Sequence, residues 1–220
     1  MMLPFHLYLD SASIDELSAC LPHPVVHGVT TNPTLLRRAG VGREQVPALL
    51  ERLIGLGARQ VQAQVYSQDA DGIVADARKL ARIDPARVVV KVPATREGLR
   101  AGARLVAEGI PLTFTAVYAL EQAHFAARLG AAYAAPYLGR LQDAGIDGLA
   151  LIARMQRMLD RDGASMRLLV ASIRSRDAYL ALLELGVGSI TIPPRLFPDL
   201  LDHPATIDAE RGFLEDSRAI

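Results

Sequence analysis

Short apolar runs alternate with longer stretches of mixed polarity along the whole chain. Each run has the length of a strand, is rich in β-branched or alternating apolar residues, and is bounded by polar or turn-forming residues. The pattern predicts eight strands: His6–Asp10, His27–Thr31, Gln60–Tyr66, Arg87–Val92, Pro111–Thr115, Ala131–Tyr137, Arg167–Ser172 and Ser189–Ile192.

The stretches between these runs carry apolar residues at helical spacing. In one of them Val46, Leu49 and Leu53 fall on the same face of a helix. Ser13 followed by Glu16 is a capping-box pattern and predicts the start of a first helix. Further helices are predicted over Gln45–Leu56, Asp69–Ile83, Arg96–Ala107, Leu120–Leu129, Leu149–Leu159 and Arg174–Leu185.

Strands that alternate with helices in this way form parallel βαβ units. Eight such units in 220 residues predict an α/β protein built as a single (β/α)8 TIM barrel. We expect one domain over residues 1–220 with a short C-terminal helical tail. A doubly wound open sheet is the alternative fold.

Each predicted strand ends with polar side chains on one of its two faces. In a closed barrel alternate residues of a strand face the lumen, and the chemistry lies where the strands end. In a barrel without a functional site, Val, Ile and Leu would be favoured at these positions. The alternative is that a few polar residues lie at the end of any barrel, whether or not it has a site. The polar ends predict a functional mouth made by Asp10, Thr30, Asn32, Gln64, Lys91, Thr115, Tyr137, Ser172 and Thr191.

Lys91 stands out because the chain has 24 basic residues and only two of them, Lys79 and Lys91, are lysines. Lys91 interrupts the run Val88–Pro93, which is typical of a strand buried on both faces. Burial disfavours the ammonium form, and a neutral amine attacks carbonyl carbon. Lys91 is therefore a candidate Schiff-base lysine. The alternative is a lysine that extends from a strand end or pairs with a buried carboxylate.

Other polar ends of the strands could assist such a lysine. Asp10 could hold its amine or orient a water molecule, or could instead cap the helix that starts near Ser13. Gln64 and Thr115 could position one water molecule, and Tyr137 could share a proton with it. A water held in this way can move protons while carbon–carbon bonds break.

Two arginines and a serine follow the sixth and seventh predicted strands. Arg140, Ser172 and Arg174 together suit a phosphate monoester, which guanidinium groups bind with paired hydrogen bonds. With 22 arginines in the chain, the alternative is that Arg140 and Arg174 are ordinary surface residues.

The composition of the chain limits the partners, the compartment and the kinds of site that we expect. The formal net charge is zero, which argues against nucleic acid or an anionic membrane as a partner. The single cysteine allows no internal disulfide, and the first residues lack a secretory signal, so we expect a cytoplasmic protein. The five histidines have no metal-ligand spacing, so no metal site is predicted.

The sequence resembles the small transaldolase/fructose-6-phosphate aldolase family from Leu7 to about Phe213. The blocks Gly-Val-Thr-Thr-Asn-Pro and Val-Lys-Val-Pro are together quite specific. The resemblance is carried by six blocks in chain order: Leu7–Ser11, Gly28–Pro33, Ala63–Val65, Val89–Pro93, Ala135–Arg140 and Ala171–Ser175.

The resemblance implies a class I Schiff-base mechanism in a (β/α)8 barrel, without a metal or another cofactor. It implies that Lys91 attacks the C2 ketone of a ketose phosphate and that Asp10 assists proton transfer. The further implied roles are positioning of the catalytic water by Gln64, Thr115 and Tyr137, contact with the dihydroxyacetone portion by Thr30 and Asn32, and phosphate binding by Arg140, Ser172 and Arg174. The implied assembly is a homo-oligomer, a pentamer or decamer, in which a C-terminal helix reaches a neighbouring subunit.

Members of the family either release dihydroxyacetone, as aldolases, or pass it to an aldose phosphate, as transaldolases. The resemblance implies that transaldolases have Glu in place of Gln64 and Phe in place of Tyr137, so these two residues favour the aldolase. The segment Leu138–Asp143, in contrast, resembles transaldolases. Two other functions stay open: a sugar-phosphate-binding barrel without activity, which would not need Lys91, and a deoxyribose-phosphate-type aldolase, which would usually have a second lysine nearby.

Overall fold

The computed structural model describes residues 4–218 and shows a closed barrel of eight parallel strands. Each strand pairs with its neighbours in chain order, and the first strand pairs with the last. The strands are β1 (His6–Asp10), β2 (Val26–Thr30), β3 (Gln60–Gln64), β4 (Val88–Pro93), β5 (Leu112–Val117), β6 (Tyr133–Pro136), β7 (Arg167–Val170) and β8 (Ser189–Ile192).

Helices connect the strands and surround the barrel. Short 3₁₀ helices lie at Arg43–Gln45 and Pro194–Leu196. The α-helices are α1 (Ile14–Ser18), α2 (Pro33–Arg38), α3 (Val46–Gly55), α4 (Ala70–Ala81), α5 (Arg96–Ala107), α6 (Leu120–Arg128), α7 (Leu138–Asp143), α8 (Gly148–Arg161), α9 (Arg176–Glu184), α10 (Pro198–Leu201) and α11 (Pro204–Ser217). The predicted TIM barrel is thereby confirmed, and the open sheet is excluded.

The main core lies between the strands and the surrounding helices. In β4 the valines at 88, 90 and 92 point outward into this layer and are fully buried. Helix α5 packs so closely that a Cβ on Gly102 would lie 2.3 Å from the ring of Phe114. A glycine is therefore needed at this point to bring α5 against β5. This packing fixes the strand ends on which the site is built.

The lumen is filled by side chains toward the N-terminal ends of the strands. The hydroxyl groups of Tyr8 and Tyr133 are 2.8 Å apart, and Tyr133 also contacts His6 Nδ1 at 2.9 Å. Tyr8 donates to Gln60 Oε1. Burial raises the pKa of Tyr8 far above its ordinary value, so the phenol stays protonated as a donor. These hydrogen-bonded side chains fill the lumen at this end, so the barrel is a packed core here and not a pore.

The structure differs from the predicted elements mainly in short helices. Helices α2 and α7 were not predicted, because six residues give little periodicity. The C-terminal helix α11 is 14 residues long, and it has no buried residue. No helix within residues 4–218 is long and apolar enough to cross a membrane.

Candidate active site

A cavity of about 310 Å³ opens where the strands end, at the C-terminal face of the barrel. It contains seven of the ten residues that the sequence predicted for the site. Its lining residues are Asp10, Asn32, Thr34, Leu35, Arg38, Lys91, Tyr137, Arg140, Ala171, Ser172 and Arg174. Polar ends of strands β1, β2, β4, β6 and β7 thus meet at one mouth, as in other barrels of this kind.

Lys91 lies on β4, and it lines the cavity from the lumen side of the strand. Its side chain is 3% exposed, and Nζ donates a hydrogen bond of 2.8 Å to the carbonyl oxygen of Thr31. In the part of the chain that the structure describes, no carboxylate forms a salt bridge with it. A buried amine held by a neutral acceptor can serve as a nucleophile toward a carbonyl carbon.

Asp10 ends β1 and faces the same cavity. Its Oδ1 accepts a hydrogen bond of 2.7 Å from the Thr30 hydroxyl group. Burial raises the pKa of Asp10, while the charge of Lys91, the Thr30 hydrogen bond and the charge of Arg140 act in the opposite direction. A carboxyl group at this position can give a proton to a bound ligand and take one from it. The alternative role of Asp10 is not needed, because Ser13 caps helix α1.

Thr30 lies behind Asp10 and does not line the cavity. It is fully buried, and its hydroxyl group is shared between Asp10 and Thr191, each at 2.7 Å. In this geometry Thr30 fixes the carboxylate of Asp10 and has no free hydrogen-bonding group directed at a ligand. Its predicted contact with the dihydroxyacetone portion therefore stays a prediction.

Tyr137 and Thr115 form a second hydrogen-bonded pair at the cavity wall. Their hydroxyl groups are 2.7 Å apart, and both side chains are buried. The guanidinium group of Arg140 lies over the Tyr137 ring, 4.8 Å from its centre, at cation–π distance. The phenol is thus held from both sides, with Tyr137 at the cavity and Thr115 behind it.

Gln64 and Asn32 flank the lysine on neighbouring elements. Gln64 is half-buried and lies opposite Lys91 in the register of β3 and β4, outside the cavity lining. Asn32 Oδ1 accepts a hydrogen bond of 3.0 Å from the Leu35 backbone and caps helix α2. With its oxygen engaged, the amide nitrogen of Asn32 is the group left to meet a ligand.

The predicted phosphate residues lie together on the β6 and β7 side of the mouth. Ser172 has a left-handed backbone with φ of 62°, which is unusual for a residue with a side chain. The Gly139 backbone donates to the Ser172 carbonyl oxygen at 3.1 Å, and a Cβ on Gly139 would lie 2.6 Å from that oxygen. The close approach requires glycine at 139 and places the Ser172 hydroxyl group beside α7.

Arg174 already has an anionic partner. Its guanidinium group makes two hydrogen bonds of 2.6 Å to Asp143, and these hydrogen bonds lower the pKa of Asp143. Both side chains are more than half exposed. To bind a phosphate fully, Arg174 would have to share its charge with Asp143 or be released from it.

Sequence reasoning missed four residues of the cavity: Thr34, Leu35, Arg38 and Ala171. Three of them lie on α2. Asn32 followed by Pro33 is a recognisable helix start, with a cap and a proline in the first turn, and could have revealed this helix. Nothing in the sequence distinguishes Arg38 from the other arginines.

The cavity lining is rich in positive charge. Three guanidinium side chains, those of Arg38, Arg140 and Arg174, line it together with the amine of Lys91 and one carboxyl group, that of Asp10. Such an excess favours an anionic ligand. Among residues 4–218 no group of three His, Cys, Asp or Glu side chains could hold a metal ion.

Comparison with known proteins agrees with this geometry. Residues 7–219 match the family described as transaldolase/fructose-6-phosphate aldolase. A protein named probable transaldolase 2 from Listeria monocytogenes is 40% identical over 96% of this chain and 95% of its own length. A probable transaldolase from Thermus thermophilus is 38% identical over 96% of both chains.

Two solved structures with a similar fold differ widely from this chain in sequence. A mutant flavocytochrome b2 with pyruvate bound superposes with a TM-score of 0.61 at 14% identity, over 87% of this chain and 57% of its own. A mandelate oxidase mutant gives 0.57 at 15% identity, over 86% of this chain and 64% of its own. These likenesses show the barrel alone. The sequence match shows more: this chain belongs to the transaldolase/fructose-6-phosphate aldolase family of enzymes.

Proposed function

We propose that this enzyme is a class I aldolase that cleaves or forms the C3–C4 bond of a ketose phosphate such as fructose 6-phosphate. The products of cleavage are dihydroxyacetone and glyceraldehyde 3-phosphate. The observation that carries the proposal is the buried amine of Lys91 in a cavity with an excess of cationic groups. The amine supplies the nucleophile, and the cations suit the phosphate.

The first step is attack of the Lys91 nitrogen on the C2 carbonyl carbon. The carbonyl oxygen takes up two protons, one from the attacking nitrogen and one from an acid, and leaves as water, which gives an iminium ion. Asp10 is suited to this proton transfer because it faces the same cavity and its pKa is raised by burial. A protonated carboxyl group can give the proton, and its carboxylate can take one back.

Cleavage follows from the iminium ion. The C4 hydroxyl group loses its proton, the C3–C4 electron pair moves toward the iminium nitrogen, and the aldehyde phosphate leaves. An enamine of dihydroxyacetone stays on Lys91. The hydroxyl groups of Tyr137 and Thr115, 2.7 Å apart at the wall, could pass protons through a water molecule, with Gln64 beside them.

The fate of the enamine separates aldolase from transaldolase. Protonation at C3 and hydrolysis release free dihydroxyacetone, whereas attack by the enamine on an acceptor such as erythrose 4-phosphate completes a transfer. The Tyr137 phenol at the cavity supports protonation, so we favour the aldolase. Transaldolase is the second candidate, because the relatives described above are named as probable transaldolases.

Borohydride trapping tests the nucleophile. Reduction in the presence of dihydroxyacetone should attach the three-carbon unit to Lys91, as located by peptide mass spectrometry. Lys91→Met should abolish labelling and lower turnover on the order of 10³-fold or more. The matched control is Lys79→Met, since Lys79 is the other lysine and is exposed on α4.

Labelling that persists in Lys91→Met, or a Lys91→Met variant with wild-type turnover, would refute the mechanism. Loss of labelling in Lys79→Met would do the same. A circular-dichroism spectrum like that of the wild type would show that Lys91→Met keeps its fold.

We also propose that the enzyme acts as a homo-oligomer, a pentamer or decamer by the resemblance. The support is helix α11, which has no buried residue although it carries large apolar side chains. Phe213 is 72% exposed and Leu214 is 52% exposed. Apolar residues of this kind are typical of surfaces that a partner covers.

A further inference from the structure

Helix α2 places at the cavity a cationic side chain that the Schiff-base chemistry does not use. The helix starts at the Asn32 cap, directly after β2, and ends at Arg38. Thr34, Leu35 and Arg38 all line the cavity, so one face of this short helix forms part of the wall.

Arg38 approaches the cavity from the side opposite Arg140. Helix α2 follows β2, and helix α7, which carries Arg140, follows β6. In a closed ring of eight strands, β2 and β6 are four strands apart and therefore face each other across the barrel. Both guanidinium groups nevertheless line the same cavity of about 310 Å³. A ligand in the cavity would lie between them.

Arg38 and Arg140 are also the guanidinium groups of the cavity that have no carboxylate partner within residues 4–218. Arg174 differs from them, because two hydrogen bonds of 2.6 Å tie it to Asp143. An incoming phosphate can be bound by Arg38 and Arg140 without breaking an existing ion pair, whereas binding by Arg174 competes with Asp143.

Arg38 lies away from the reacting end of the cavity. Lys91 is buried within β4, whereas Arg38 is exposed and lies in the last turn of α2, six residues beyond the Asn32 cap. The end of a substrate that Arg38 meets is therefore the end farther from the Schiff base. In a ketose phosphate with C2 bonded to Lys91, the far end carries the phosphate.

Arg38 also has an ordinary structural explanation, which the neighbouring Arg37 shares. Both lie in the last turn of α2, where positive charge interacts favourably with the helix dipole. The explanation applies equally to both residues, yet only Arg38 lines the cavity. The chain therefore contains its own control for any effect of charge on the helix.

We propose that Arg38 is a substrate-binding residue that contacts the substrate phosphate from the side opposite Arg140 and makes the enzyme prefer phosphorylated sugars. This inference rests on the proposed aldolase function and adds a third arginine to the two predicted from the sequence. In this arrangement Arg38 and Arg140 supply the unpaired charge, and the Ser172 hydroxyl group supplies a hydrogen bond.

Synthesis from dihydroxyacetone and either of two acceptors, glyceraldehyde 3-phosphate or glyceraldehyde, tests the role of Arg38. In Arg38→Ala we expect the KM for glyceraldehyde 3-phosphate to rise about tenfold, the value for one lost charge-assisted hydrogen bond at a partly exposed site. The constants for glyceraldehyde should stay within about twofold of wild type. Arg38→Lys should restore part of the loss, because it keeps the charge without the paired donors.

Arg37→Ala is the matched control and should behave as wild type with both acceptors. An unchanged KM for glyceraldehyde 3-phosphate in Arg38→Ala would overturn the proposal. Equal losses with both acceptors, or the same loss in Arg37→Ala, would also overturn it, since they would show an effect on the fold or on helix α2.

Two measurements separate this proposal from the aldolase mechanism. Trapping of dihydroxyacetone on Lys91 needs no phosphate, so it should be equal in wild type and Arg38→Ala; its failure in wild type would refute the mechanism. Calorimetric binding of inorganic phosphate needs no catalysis. Its affinity should fall several-fold in Arg38→Ala and not in Arg37→Ala, and an unchanged affinity would refute the role of Arg38.

Discussion

At the scale of single residues, the chemistry of the site depends on which polar groups already form hydrogen bonds or ion pairs within the protein. Lys91 is hydrogen-bonded to a carbonyl group, Asp10 to a threonine, Arg174 to a carboxylate and Tyr137 to the hydroxyl group of Thr115. Sequence parity identified Lys91 and Asp10, because strand positions determine which side chains face the lumen. It could not show that the Thr30 hydroxyl group is occupied by Asp10, since that depends on side-chain packing across strands.

Tyr137→Phe tests the division between hydrolysis and transfer. The change removes the phenol hydroxyl group that contacts Thr115 but keeps the ring beneath Arg140. If the phenol passes protons to the enamine, hydrolytic cleavage should fall by about tenfold or more relative to transfer to erythrose 4-phosphate. The measurement is the rate of glyceraldehyde 3-phosphate release with and without the acceptor.

Thr115→Val is the companion variant, because it removes the other hydroxyl group of the pair and leaves the phenol in place. We expect a smaller change in the same direction. If the ratio of cleavage to transfer is unaltered in Tyr137→Phe, the phenol does not decide the fate of the enamine, and transaldolase becomes the better description.

At the scale of elements, the long helices and the strands were predicted, whereas the short helices α2 and α7 were missed. Helix α5 and strand β8 have the bounds that the hydrophobic pattern predicted. Helices α2 and α7 are each six residues long, so their sequences show little periodicity. Helix α2 begins at the Asn32 cap, and α7 contacts the Ser172 backbone after β7. Arg38 lies on α2, and it was not predicted as a site residue because the helix itself was not predicted.

Two histidines at the N-terminal ends of β1 and β2 predict that the stability of the protein depends on pH. His6 and His27 stack with ring centres 3.6 Å apart. Burial, followed by nearby positive charge, lowers the pKa of each to about 4 from 6.5. The unfolded chain therefore binds more protons than the folded protein between about pH 6.5 and pH 4, and the free energy of unfolding should fall as the pH is lowered through this range.

Urea unfolding at pH 7 and pH 5 measures the effect. After a discount for the partial exposure of both rings, the loss from this pair is about 1–2 kcal/mol at pH 5. The double variant His6→Gln with His27→Gln should lose less between the two pH values, while carboxylates contribute equally in both proteins. Equal losses would show that the pair does not titrate in this way.

At the scale of the whole molecule, the barrel closes within one chain, while the C-terminal helix α11 is largely exposed. No residue of α11 is buried, in contrast to helices such as α3 and α8, which bury one face against the barrel. The sequence predicted a helical tail but not the degree of its exposure, since burial depends on what the surrounding structure or a partner supplies.

Substitution on α11 tests the proposed self-association. Phe213→Asp combined with Leu214→Asp places charge at the exposed apolar positions and should lower the mass measured by light scattering during size-exclusion chromatography, because buried charge is costly at an interface. Glu210→Gln, on the same exposed helix, should leave the mass unchanged. An assembly of wild-type mass in the double variant would place the contact surface elsewhere.

The hydrogen bond from Lys91 to the Thr31 carbonyl oxygen has a consequence for stereochemistry. A carbonyl oxygen can only accept, and a protonated imine nitrogen still carries one hydrogen to donate. The same anchor can therefore persist while the nitrogen changes from amine to imine, and it would restrict rotation of the plane of the bound intermediate. One side of that plane would stay turned toward the incoming aldehyde, so the newly formed carbon–carbon bond should have a single handedness.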